Sequence, residues 1–269
     1  MSFALKQSLR RSIAASPIRQ IVVAQRHRAL DPRDVMIASY PKSGNTWLRM
    51  LLSSLVAGRI DSLDDLPKYV PELEALGRME NAYRLSSGGR MVKTHEQWTE
   101  RYCRGVYVVR DCRDVAVSYY WHQLGTGQFD GEFDDFFKKF VRGGVDGYGR
   151  WDQHISSWLN AAEGSRDQFL VIHYEDMLRD AERILEKVAR FIGLDVTSGD
   201  VTSAVVENSP ERMRLKEKAA KSIPRSRKIE VPFVRFSKEG GWQSIMSTDQ
   251  AKTLRREMGE VAVRLGYEW

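Results

Sequence analysis

The chain has 269 residues, 42% hydrophobic and 29% charged, with 42 basic against 36 acidic side chains and a formal net charge of +6. This balance excludes a disordered or low-complexity chain, and the length is enough to bury a core. No apolar run approaches the ~20 residues of a membrane-spanning helix, and the two cysteines, Cys103 and Cys112, exclude a disulfide framework and a Cys/His zinc cluster.

Residues 1–30 contain no acidic side chain and mix Arg, Ser and aliphatics around Pro17. They read as a basic N-terminal extension. The expected form is a solvated helix packed on the body; membrane-surface attachment and a targeting peptide are the alternatives. Residues 31–269 then read as one domain. Val35–Ser39 predicts a strand and Thr46–Val56 a helix. Arg90–Thr94 and the β-branched Gly105–Arg110 predict two more strands, followed by a helix over Arg113–Gln123. Helices are expected over Phe133–Val141 and Gly149–Ala162, a strand over Phe169–His173, and one helix over Tyr174–Ile192 stopping at Gly193. Strands separated by helices predict an α/β fold, a single domain with a central parallel sheet flanked by helices. Ligands of such sheets sit beyond the carboxyl ends of the strands.

The first strand runs into "YPKSGNTW". Gly44 lets the backbone approach an anion, Ser43, Asn45 and Thr46 offer donors, and the next helix points its free N–H groups at the same place. Lys42 adds a full charge, and Trp47 is placed to stack on a base. The lysine precedes the glycine and the upstream glycine of a nucleoside-triphosphate loop is missing, so a smaller anion is expected. The second strand ends in "MVKTHEQW", where Lys93 and His95 flank Thr94 and point to one side. A histidine beside a cation suits a neutral general base, or packs structurally. The third strand ends in "VVRDCRDVAVSYYW": Arg110 can take a phosphate bidentately, with Ser118 two turns on. Asp111 reads as a Walker B-like magnesium ligand on one view; on the other, Asp111 and Asp114 pair with Arg113 or cap the helix. Tyr174, after the fourth strand, can face a base.

Together these segments resemble the cytosolic-type sulfotransferases, which use 3′-phosphoadenosine 5′-phosphosulfate (PAPS). "YPKSGNTW" is similar to that family's 5′-phosphosulfate loop, "VVRDCRDVAVSYYW" to its 3′-phosphate segment and "VKTHEQW" to the segment of its catalytic histidine. "GYGRWDQHISSW" and "HYEDML" match in order and spacing. The similarity is continuous from Val35 to Met177 and weaker to Ser244.

The resemblance implies a P-loop-like turn and sulfuryl transfer without a metal to a hydroxyl or amine of a small-molecule, lipid or glycan acceptor. It implies His95 as base, with Lys93 and Lys42 stabilising charge. Lys42, Ser43, Gly44, Asn45, Thr46 and Trp47 would hold the phosphosulfate and adenine, Arg110 and Ser118 the 3′-phosphate, and Tyr174 the base. Asn45 replaces a family threonine and Cys112 a proline. In "VRFSKEGGW", Arg235 keeps the arginine of the family's Arg-Lys-Gly run, with Phe236 and Ser237 in place of Lys-Gly and Lys238 as the substitute cation; Gly240 and Trp242 match its Gly-Asp-Trp, with Gly241 for the aspartate, and Ser209 falls in its adenine segment.

A cytoplasmic protein is implied, and the basic N-terminus adds the expectation of contact with the inner membrane face. An acceptor pocket is expected in Asp61–Gly89, His122–Gly149 and Ser209–Glu239, where Phe129, Phe133 and Tyr148 either line the pocket or pack. The rival is a small-molecule kinase using ATP and magnesium. Nucleic-acid binding is disfavoured, because acids are interspersed with the bases throughout the body.

Overall fold

A computed structural model describes residues 18–74, 79, 81–222 and 239–269. Four parallel strands form the sheet: β1 (Val35–Ser39), β2 (Met91–Thr94), β3 (Gly105–Val109) and β4 (Phe169–His173). Their order is β2-β1-β3-β4, with Met36 paired to both Val92 and Gly105. The chain leaves β1 toward one edge and later returns to build toward the other. The topological switch therefore lies between β1 and β3, where such sheets place their ligands.

The strands are β-branched runs rather than alternating ones because both faces are covered. Val35, Ile37, Val106 and Val108 face one apolar layer with helices α2 (Asn45–Ala57), α8 (Ala181–Ile192) and α9 (Ser198–Glu207). Met36, Ala38, Tyr107 and Val109 face the other, with α4 (Cys112–Gly125), α5 (Phe133–Val141), α6 (Trp151–Gly164) and α11 (Thr248–Arg264). Helices α3 (Leu66–Tyr69) and α10 (Pro210–Ala219) flank the first layer at its rim.

The expected helix over Tyr174–Ile192 is two. α7 (Tyr174–Arg179) ends at Asp180, whose extended backbone (φ −153°) breaks the run and whose carboxylate accepts from Arg183 N–H to cap α8. The N-terminal segment includes α1 (Ile18–His27), which docks on the body: the His27 ring is buried and meets the Tyr102 hydroxyl at 2.8 Å. No described helix is long and apolar enough to cross a membrane.

Candidate active site

The chain leaves β1 through Tyr40-Pro41-Lys42-Ser43-Gly44. Lys42 has φ +70°, the one non-glycine residue with positive φ among those described, and Gly44 has φ +97°. An L side chain in that region costs roughly 1–2 kcal/mol, so the loop holds its shape against a local preference. Gly44 is obligatory for a second reason. A Cβ there would lie 2.4 Å from Tyr174 Cδ2, because the Tyr174 ring lies against the loop.

Helix α2 begins at the next residue with no side-chain cap and no acid in its first turn. Helices α4, α8, α9, α10 and α11 are each capped by a side chain: Asp111, Asp180, Thr197, Ser209 and Ser247. The positive end of α2 is thus left open to the loop. The Ser43 hydroxyl is fully buried there without a hydrogen-bond partner. An orphaned buried donor beside an uncapped helix end and a glycine cradle fits an anionic group.

The Asn45 side chain takes another part. Its Nδ2 donates to the Ile37 carbonyl at 3.0 Å, tying the turn to β1, while its main-chain N–H lies in the open first turn of α2. Trp47 points its Nε1–H at the Asn208 carbonyl, 3.0 Å away, and meets Tyr174 edge-on at 6.1 Å between ring centres. Asn208 is buried and bonded to Ser54, Ala204 and Lys216, so it anchors the indole to the start of α10. Its neighbour Ser209 is the cap of α10.

From β3, Arg110 crosses the switch point. Its guanidinium lies 4.4 Å over the Tyr174 ring and donates to the Lys42 carbonyl at 3.2 Å, while its Nε is buried without a partner. Ser118 lies one turn beyond Asp114 on the same side of α4. Asp114 accepts from the N–H groups of Gly240 (3.0 Å) and Trp242 (2.9 Å), bringing Gly240 beside the Arg110 strand end. Burial raises the Asp114 carboxyl above its ordinary range, opposed by Arg110. Asp111 is engaged as the α4 cap and as the partner of Arg113, with contacts of 2.5–3.0 Å. Arg235 and Lys238 lie outside the described residues.

His95 follows β2. Its Nδ1 is 2.8 Å from the Ser39 carbonyl, the last residue of β1. A carbonyl only accepts, so Nδ1 carries the proton and Nε2 keeps its lone pair. Burial, and then the Lys93 charge, hold the imidazole well below its ordinary pKa, so it is neutral at cellular pH. Lys93 is buried with Nζ 3.5 Å from Glu74 and 3.8 Å from Glu72. Glu72 is drawn down to about 2, chiefly by Lys93. Arg49 of α2 holds Glu72 at 3.0 Å from its other side.

The structure thus brings the Lys42–Trp47 loop, Arg110, Tyr174 and Gly240 to one place and sets His95 against the loop's origin. Of the three aromatics expected near an acceptor, Tyr148 meets the His95 ring edge-on at 5.7 Å. Phe129 and Phe133 pack on Tyr120 of α4, at 6.2 and 5.3 Å. Sequence reasoning missed Asn208, Glu72, Glu74 and the main-chain grip of Asp114. Each acts on a residue far along the chain, beyond the reach of local spacing.

A model of the sulfotransferase domain matches residues 32–266. Sulfotransferase 1 family member D1 of Rattus norvegicus is 28% identical over 239 residues, 81% of this chain and 80% of its own length. Sulfotransferase 1B1 of Canis lupus familiaris is 30% identical over 200 residues, 68% of this chain and 67% of its own. The fold is similar to the crystal structure of mouse sulfotransferase SULT7A1 complexed with PAP, at a TM-score of 0.71 and 22% identity, covering 90% of this chain and 88% of that one.

Proposed function

The chain belongs to the sulfotransferase family and transfers a sulfuryl group from PAPS, and on that premise we propose that His95, Lys93 and Lys42 carry the chemistry on the Ser39–Trp47 frame. When bound, PAPS supplies an activated sulfuryl group and a phosphate leaving group. The observation that carries the division of labour is the His95 Nδ1–Ser39 O contact of 2.8 Å. It joins the base directly to the anion loop and leaves Nε2 as the atom that takes the acceptor's proton. A positioned base of this kind contributes typically ~10²–10⁴-fold.

Lys42 and the open end of α2 neutralise the leaving phosphate, and Lys93 the sulfuryl oxygens. Ser43, Gly44, Asn45 and Thr46 hold the 5′ side through the orphaned hydroxyl and main-chain N–H groups. Trp47, Tyr174 and Ser209 frame the adenine. Arg110, Ser118 and Gly240, with Arg235 and Lys238, take the 3′-phosphate. The acceptor presents a hydroxyl or amine past Tyr148; small molecules, lipids and glycans all fit that requirement. Transfer of label from ³⁵S-PAPS to a panel of alcohols, phenols and amines tests this reading, with His95→Ala as the blank. Label on an acceptor that falls at least ~100-fold in the variant supports it; equal labelling by both proteins removes His95 from the mechanism.

A further inference from the structure

Within "GYGRWDQHISSW" only Tyr148 enters the chemistry above, yet one face of α6 is spent on the loop that follows β2. His154 Nε2 lies 2.8 Å from the His95 carbonyl. The carbonyl only accepts, so Nε2 bears the proton, and Nδ1 accepts from the Tyr107 hydroxyl at 2.8 Å. Trp158 Nε1–H donates to the Glu96 carbonyl at 3.1 Å. Ser157 Oγ accepts from the Trp98 N–H at 3.0 Å and donates to the His154 carbonyl at 2.7 Å. Positions 154, 157 and 158 have the i, i+3, i+4 spacing that shares a helix face. His154 and Trp158 are fully buried. Trp158 stacks on Tyr107 of β3 at 5.1 Å, which fixes the face to the sheet. On the strand side, Glu74 takes the His95 N–H at 2.9 Å.

We propose that His154, Ser157 and Trp158 are positioning residues for the base: α6 clamps the main chain of residues 95–98 and so keeps the His95 imidazole in one tautomer with Nε2 toward the acceptor. The inference rests on the reading of His95 as the base. Its physical ground is that the ring's hydrogen bonds run through one nitrogen to one residue, Ser39, whose carbonyl lies 2.8 Å and hydroxyl 3.4 Å from Nδ1, on a ring that turns about its side-chain torsions. That contact persists only if the backbone carrying the ring is fixed. Misplacement of a reacting group by ~1 Å costs about 10²-fold. His154 is itself held neutral, with its pKa lowered by burial to about 4, so the clamp is intact across the working range of pH. The charged and titratable groups facing His95 are Lys93 on β2, Glu72 and Glu74 from the segment before β2, Tyr148 from the segment before α6, and His154 on α6.

The test is long-range proton–nitrogen NMR of histidine-labelled full-length protein, with the five histidines assigned by single substitution. Wild type shows His95 as the Nδ1–H tautomer, titrating well below the ordinary ~6.5. His154→Phe keeps a ring against Tyr107 but removes the donor. In it the His95 titration moves up toward the ordinary value and the tautomers mix, and His154→Gln, which restores a donor, returns it toward wild type. In turnover, His154→Phe lowers kcat about 10–100-fold and costs nothing further once His95 is Ala. Binding of 3′-phosphoadenosine 5′-phosphate stays within about twofold, because the phenyl ring keeps the edge-on contact that His154 makes with Tyr40 at 5.4 Å.

A folded His154→Phe protein with a wild-type His95 spectrum overturns the clamp, as does a loss of activity that persists in full without His95. If that variant does not fold, Ser157→Ala is read the same way: a shifted His95 titration supports the clamp and an unshifted one contradicts it. Failure of the sulfotransferase reading is distinguishable, since it would appear as absent nucleotide binding in wild type, whatever the His95 spectrum.

Discussion

Gly44 carries two demands at once: a positive φ and a surface that the Tyr174 ring presses against. Gly44→Ala is therefore expected to lower nucleotide affinity at least ~10-fold and to destabilise the fold by ~1–2 kcal/mol or more, measured by calorimetry and thermal melting. A variant with wild-type affinity would show that Tyr174 does not shape the cradle.

His95 gives the pH prediction. A base works when unprotonated, and burial with Lys93 depresses its pKa. The acid limb of kcat/KM should then fall below the ordinary histidine value, with activity retained as pH drops through ~6.5 and lost further down. Moving Lys93 to Met should raise that limb; a limb that stays put would remove Lys93 as a cause. At this scale the sequence was informative about donors and charges but not about direction. The Asn45 amide turns back to Ile37, and Lys93 sits between Glu72 and Glu74. Neither follows from spacing, because each depends on a partner brought close by folding.

Among the elements, the strands were readable because parallel strands buried on both faces are plain β-branched runs. The Tyr174–Ile192 helix was misread because helical patterns lie on both sides of Asp180, and a single Asp, though a residue that favours caps, also occurs inside helices. Helix α4 shows how an element assembles a site. Its cap Asp111 holds Arg113, which lies 4.7 Å over both the Trp242 and Trp269 rings, while Asp114 holds the Gly240–Trp242 turn. Asp114→Ala strands two N–H groups and is expected to cost ~1–3 kcal/mol. It should weaken 3′-phosphoadenosine 5′-phosphate more than 5′-AMP. Equal weakening of both would place that turn away from the 3′-phosphate.

For the whole molecule, the sheet order put the site where the strand pattern alone could not. The sequence supports parallel strands, but only the β2-β1-β3-β4 order brings Lys42 and Arg110 across one switch point, 3.2 Å apart through the Lys42 carbonyl. At the other end of the chain, α1 is docked through His27 and carries a 67% exposed Ile21 on a basic helix. The expected membrane-surface contact through residues 1–30 predicts that deleting those residues abolishes pelleting with anionic vesicles. Pelleting equal to wild type would end that expectation.

The most direct test of the account is calorimetry with 3′-phosphoadenosine 5′-phosphate in metal-free buffer containing EDTA, with ADP and 5′-AMP beside it. The account predicts tight binding without metal that falls about 10–100-fold when the 3′-phosphate is removed or Arg110 is changed to Ala. Absence of binding, or ADP bound equally well once magnesium is restored, would contradict it.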